Sequence, residues 1–249
     1  MANEDLVYGP HSVADALDAN RVKRIWVLDT PDKGKAAQAR EQLAQRASKA
    51  GITVERVPRS YLDSRMGRSN HQGIIAKVTP FTYAELDELI SNHSGNSNFL
   101  IVIADGIQDP GNLGHVLRIA AGFKADGVII PEHRAVDVTP TVEKTAAGNA
   151  GKIPVVKVNN LTRAVKMLQE EGIWIYAADT KGTQSLPDVK FANRMAWVVG
   201  GEHEGVSRLL LESCDEVISI PMPGEIESFN VATSVAVGLY EYRRQYPGK

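Results

Sequence analysis

The sequence predicts an α/β protein in which a mainly parallel sheet, covered on both faces by helices, follows a smaller α/β module. Three observations carry this. Six short apolar segments at 99–104, 127–131, 154–158, 173–178, 195–199 and 216–220 alternate with helical or polar stretches, the pattern of strands buried on both sides. A separate strand and helix alternation occupies the first 80 or so positions. The chain of 249 residues, 43% hydrophobic and 23% charged, is long enough for one large or two ordinary domains with a substantial core.

In chain order, the stretch 8–20 reads as a turn and a short helix carrying Val13, Ala16 and Leu17. A strand at 24–28 precedes an Ala-rich helix closed by Gly51. Strands at 52–57 and 73–78 flank a short helix at 61–66. Residues 1–78 therefore form a compact α/β module. Its basic positions Arg56, Arg59, Arg65 and Arg68 stand close to His71 and Gln72 and could meet phosphates. Residues 79–98, a short acidic helix and the turn formers SGNSN, read as a linker.

The second domain spans 99–249. After its first strand, a polar glycine-rich loop at 105–114 opens a helix containing Leu117, Ile119 and Ala120. Helical stretches follow near 139–149 and at 161–171. The last helix is marked by Val231, Val235, Leu239 and Tyr242 at near-helical spacing, with Asn230 or Ser228 placed to cap it. Ligands of open parallel sheets sit outside the carboxyl ends of strands. The loops after Ala104, Ala178, Val199 and Ile220 are thus the candidate site.

Several functional classes fall away. No run of about 18 apolar residues could span a bilayer, and no secretory signal opens the chain, so the expectation is a cytoplasmic protein without a membrane partner. One cysteine, Cys214, excludes a disulfide framework and a Cys-rich zinc site, and a packed thiol is expected rather than a nucleophile. Six scattered histidines give no metal-ligand spacing; His203, between Glu202 and Glu204, is read as part of a loop. The 106–114 loop matches neither the dinucleotide fingerprint nor the P-loop, which weakens a nicotinamide or ATP enzyme. Net charge is −2, distributed as +4 over residues 1–80 and −6 over the remainder. That asymmetry favours an anionic partner for the front part.

Three loops remain that supply fixed polar groups beside glycine-lined backbone: Asn112 and Arg118, then Glu202, then Ser228 and Asn230. The triple DPGNLGHVLRIA, VVGGEHEG and ISIPMPGEIESFNVATSVA resembles the three signature motifs of the SpoU (TrmH-type) RNA ribose 2′-O-methyltransferases. YGPHSVADAL and HQGIIAKV are similar to the substrate-binding domain of the bacterial branch acting on a guanosine of 23S ribosomal RNA. Together they cover almost the whole chain.

The resemblance implies a SPOUT fold with a C-terminal trefoil knot, S-adenosyl-L-methionine as cofactor, ribosomal RNA as substrate and a homodimer. No hydrophobic period reveals a knot, since threaded chains are rare. It also implies that Gly200, Ile220, Met222 and Phe229 surround the cofactor, that Asn112, Arg118, Glu202, Ser228 and Asn230 line the reacting side, and that His11 and the basic cluster with His71 meet RNA. Arg118 is not expected to act alone as a base, because guanidinium stays protonated; clamping the phosphate beside the target ribose suits it better. Asn112 and Asn230 can each donate and accept, as a hydroxyl requires, and Glu202 would orient Arg118 or Asn112. The chain departs from the family pattern at His115, at Phe229 where Leu is usual, and in the Val-Ala-Thr opening of the last helix. None of these removes an assigned polar group. Two alternatives stay open: an RNA-binding or ribosome-assembly protein without turnover, and a resistance-type adenosine 2′-O-methyltransferase.

Overall fold

The computed structural model describes residues 6–29, 34–66, 70–202, 204–224 and 228–247. The chain divides into two compact units, one made of residues up to 82 together with 138–151, the other of 83–137 and 152 onward. The segment 79–98 is shared between them, and Leu86, Leu89 and Ile90 of its helix lie in the core of the larger unit.

The smaller unit holds strands β1 (Leu6–Tyr8), β2 (Val22–Leu28), β3 (Thr53–Val57) and β4 (Ile74–Val78) in the order β1-β4-β2-β3. β4 runs antiparallel to both β1 and β2, and β2 is parallel to β3. Helices α1 (Pro10–Asp18) and α2 (Lys35–Lys49) bring Val13, Ala16, Leu17, Leu43 and Ala47 to one face of the sheet, against Ile25, Val27, Ile74 and Ala76. Trp26 and Ile75 point to the other face, as strand alternation requires, and pack with Leu62 of α3 (Arg59–Met66).

In the larger unit, β5 (Phe99–Asp105), β6 (Gly127–Pro131), β7 (Val155–Val158), β8 (Trp174–Ala178), β9 (Gln184–Ser185), β10 (Arg194–Gly200) and β11 (Glu216–Ser219) build one sheet, ordered β7-β6-β5-β10-β8-β11-β9. Every pairing is parallel. Residues 99–104 of β5 are at most 1% exposed, because the strand is covered on both faces. Helices α4 (Leu86–Ser91), α7 (Leu161–Glu170) and α8 (Arg208–Leu211) fill the face carrying Phe99, Ile101, Ile103, Ile175 and Val198. On the opposite face α5 (Pro110–Gly122) packs on α9 (Val231–Gln245), whose Tyr242 joins a ring cluster with Phe191 and Trp197. The chain leaves β8, adds β10 on one flank of it and returns to add β11 on the other.

The remaining helix, α6 (Pro140–Thr145), lies in sequence between β6 and β7 yet belongs to the smaller unit. Thr139 caps it, Val142 is fully buried, and Glu143 forms an ion pair with Arg21. Arg21 also donates to Thr79 O at 2.8 Å, so the segment is fastened to β2 and β4 through one guanidinium.

Candidate active site

Because β5, β10, β8 and β11 are adjacent and parallel, their carboxyl ends share one edge of the sheet. A cavity of about 320 Å³ opens there, within the size range of small-molecule sites. Its walls are residues 178–181 after β8, Val199 to Glu202 with Glu204 and Gly205 after β10, Ile220 and Met222 after β11, and Ser228, Phe229, Val231 and Ser234 at the start of α9.

The loops are sewn together by backbone. Gly201 N–H donates to Asp105 O at 2.8 Å, Gly205 N–H to Gly201 O at 3.0 Å, and Ser207 N–H to Asp105 Oδ2 at 2.8 Å. Gly200 is demanded by this packing: a Cβ there would lie 1.8 Å from the carbonyl carbon of Gly205.

Two asparagines are held in the first turns of α5 and α9. Asp109 caps α5 by accepting from Asn112 N–H at 2.8 Å, while Asn230 caps α9 by accepting from Ala232 N–H at 2.9 Å. Their side chains meet, with Asn230 Nδ2 donating to Asn112 Oδ1 at 2.9 Å. Glu202 Oε1 accepts from Asn112 Nδ2 and, at 3.4 Å, from Asn230 Nδ2. A carboxylate is favoured in this position because the starts of both helices present positive ends and free N–H groups. The result is a fixed polar wall whose second carboxylate oxygen, Glu202 Oε2, makes no hydrogen bond among the described residues.

Gly200, Ile220, Met222 and Phe229 all line the cavity, as do Glu202 and Ser228. Asn112, 9% exposed, and Asn230 stand behind Glu202. Arg118 is not brought in: it is exposed on α5, outside the cavity lining, with no polar partner among the described residues. The chain also adds residues that the motif reading left unassigned, namely Asp179, Thr180 and Lys181 after β8, Glu204, and Ser234 one turn into α9. The rule that ligands sit at strand ends points to the first three. His203 lies outside the described residues.

In the smaller unit the positions expected to meet RNA are arranged differently. Arg56 donates to Glu41 at 2.7 and 2.9 Å, which holds its guanidinium pKa above the ordinary value, first through that hydrogen bond and then through the charge of Glu41. Arg59 lies 3.8 Å from Asp63, and Arg65 lies over the rings of Trp26 at 4.3 Å and Tyr61 at 5.1 Å. His11 is exposed at the start of α1. Arg68 lies outside the described residues. His71 is 4% exposed, its Nδ1 accepts from Gly73 N–H and its Nε2 faces Asp63 Oδ1, both at 2.9 Å. Both ring nitrogens take part in shaping the turn before β4.

Cys214 donates to Leu210 O at 3.1 Å, and burial pushes its thiol pKa up to about 12. The group is a packing element rather than a nucleophile. Among the described residues no three metal-ligating side chains cluster, and no helix is long and apolar enough to cross a membrane.

A parallel sheet with a cavity at its carboxyl edge, walled by glycine backbone, apolar side chains and carboxylates, defines an α/β protein that holds a small, partly polar ligand beside a preorganised polar wall. Comparison with known proteins narrows this class. Residues 99–240 match the SpoU rRNA Methylase family, and residues 6–84 match the family described as RNA 2′-O ribose methyltransferase substrate binding. Over 97% of its length the chain is 37% identical to the 23S rRNA (guanosine-2′-O-)-methyltransferase RlmB of Xanthomonas axonopodis pv. citri, of which it covers 97%. It is equally identical, over 97% of its length and 98% of the relative, to RlmB of Salmonella typhimurium. The crystal structure of the SpoU methyltransferase AviRb from Streptomyces viridochromogenes in complex with the cofactor AdoMet has the same fold, with a TM-score of 0.80 and 23% identity over 98% of this chain and 91% of that one. The chain belongs to the SpoU rRNA methylase family.

Proposed function

We propose that this protein is an S-adenosyl-L-methionine-dependent RNA 2′-O-methyltransferase that modifies a ribose of ribosomal RNA, with a guanosine of 23S rRNA as its target. The observation that carries the reading is that Glu202, braced from behind by Asn112 and Asn230, lines the same cavity as Gly200, Ile220, Met222 and Phe229. The 37% identity over 97% of the chain to two enzymes named for guanosine-directed 23S methylation supports the nucleotide.

The cavity suits the cofactor chemically. Ile220, Met222, Phe229 and Val231 offer apolar surface for an adenine, and Thr180, Ser228 and Ser234 bring hydroxyl groups to the same lining for polar parts. Phe229, 37% exposed, can stack on a flat ring. When bound, the cofactor would supply a sulfonium methyl, whose transfer forms an oxygen–carbon bond, breaks a carbon–sulfur bond and passes the hydroxyl proton to water. The protein's part is alignment, which can lower such a barrier substantially. Asn112 and Asn230 donate to Glu202 from behind and so hold its carboxylate, which lines the cavity, toward the hydroxyl. Arg118, outside this wall, acts on the RNA as a cation for the phosphate next to the target ribose.

The smaller unit grips folded RNA through shape, splayed bases and the 2′-hydroxyl; His11, Arg56, Arg59, Arg65 and Arg68 serve it as phosphate contacts. We place the chain in the cytoplasm, with its substrate, as a homodimer with a knotted C-terminal region.

Mass-spectrometric mapping of ribose methylation on ribosomal RNA, with and without the protein, tests the reading. A single guanosine whose 2′-O-methyl appears only with active protein is expected; an unchanged map overturns it. Arg118→Ala should keep cofactor affinity, measured by titration calorimetry, while abolishing methyl transfer.

A further inference from the structure

The charges around the cavity carry a consequence for cofactor exchange, resting on the reading above. Its titratable lining residues are Asp179, Lys181, Glu202 and Glu204, three acids against one base. Glu202 is already answered by two amides and the starts of α5 and α9. Asp179 and Glu204 are not answered in that way: Glu204 has no polar partner among the described residues, and Asp179 uses only Oδ1, which accepts from Lys181 N–H at 2.8 Å.

Asp179 is also firmly placed. Its N–H donates to Ile218 O and its carbonyl accepts from Gly182 N–H, both at 3.0 Å. Gly182 in turn abuts β11 so closely that a Cβ would fall 2.4 Å from the backbone of Ile218. The turn after β8 is therefore pinned to the neighbouring strand. Its second carboxylate oxygen, Oδ2, faces Gly205 across the cavity wall, 3.9 Å from where a Cβ on that glycine would stand.

The cofactor and its product differ in one charge. S-adenosylmethionine bears a sulfonium, an ammonium and a carboxylate, a net +1, and after methyl transfer the sulfur is a neutral thioether. We propose that Asp179, assisted by Glu204 and opposed by Lys181, is a specificity-determining residue that makes the cavity prefer the sulfonium cofactor to its thioether product. A fixed carboxylate stabilises the cation and gains nothing from the neutral sulfur. Product therefore leaves a site that the next cofactor enters readily.

Asp179→Asn is the discriminating substitution, since the amide oxygen can still accept from Lys181 N–H while the charge is lost. Titration calorimetry on the full chain would give dissociation constants for S-adenosylmethionine and S-adenosylhomocysteine. Wild-type protein should favour the sulfonium form, and Asp179→Asn should shrink that preference about fivefold, chiefly by weakening the sulfonium form. Lys181→Gln should enlarge the preference, and added salt should compress it in the wild type. Equal weakening of both ligands by Asp179→Asn would mean that the side chain reads a part they share, such as the ribose diol, and would overturn the proposal. An unchanged ratio would overturn it too. If wild-type protein bound neither ligand, the assignment of the cavity to this cofactor would itself fail.

Discussion

In the smaller unit, the ionic side chains singled out by the sequence lean on one another: Arg56 on Glu41, Arg59 near Asp63, His71 on Asp63, Arg65 over Trp26 and Tyr61. In the larger unit, the polar residues at strand ends line a cavity instead: Asp179, Glu202 and Ser228. The difference lies in what surrounds each group. A charge on a helix or strand surface finds a neighbour of opposite sign at small cost and with little gain. A polar residue in a loop at the end of a buried parallel strand is positioned by that strand beside the cavity the loops enclose. Charge counting finds the first kind, and topology finds the second.

The largest effect that would sharpen this contrast is expected at Glu202. Glu202→Ala removes the acceptor that holds two asparagine amides in register, and loss of methyl transfer by about 10²-fold or more is expected in a tritium-transfer assay, from the usual value of a preorganised polar group. Thermal unfolding should shift little, because Glu202 is exposed. Retained turnover would break the comparison on the side of the larger unit.

Next is His71. His71→Ala deletes a buried ring that accepts from Gly73 N–H and reaches Asp63, and destabilisation of about 1–3 kcal/mol is expected from a buried donor left unmet. Chemical denaturation would measure it. RNA affinity per folded molecule, at a concentration of denaturant where both proteins remain native, should stay within about twofold; a much larger loss would return His71 to the RNA surface.

The smallest effect is expected at Arg56. Arg56→Ala should change stability by less than about 1 kcal/mol, the ordinary worth of an exposed ion pair. Its effect on RNA binding should appear as a shallower dependence of log affinity on log salt, by about one unit if it neutralises a phosphate. An identical slope would mean that Glu41 keeps the guanidinium when RNA is bound.

The architecture of the larger unit was legible because its strands are continuous apolar runs, and the six segments correspond to β5, β6, β7, β8, β10 and β11. Too short to show a period, β1, β9 and α8 escaped, with three, two and four residues. The stretch 139–149 reads as helical, and α6 is there, but its place in the smaller unit was invisible since the strands on either side of it belong to the larger one. Four cavity residues, Gly200, Ile220, Met222 and Phe229, came from resemblance and lie together. Asp179 carried no motif, and only the position of its loop at a strand end marked it. The burial of His71 was not legible, because adjacency to basic residues says nothing about which way a ring turns just before a tight turn at Gln72, where φ is 49°.

The central seam of the larger sheet joins β5 to β10, pairing Phe99 with Arg194 and Asp105 with Gly200. Partners so distant along the chain can meet only after the intervening polypeptide is closed into a loop, and that entropy is lost before any contact repays it. Folding of this unit should consequently be slow, with the strand that carries Gly200 docking late. The cavity needs β8, β11 and the start of α9 in place as well as this seam, so ligand binding during refolding would report completion of the whole sheet edge.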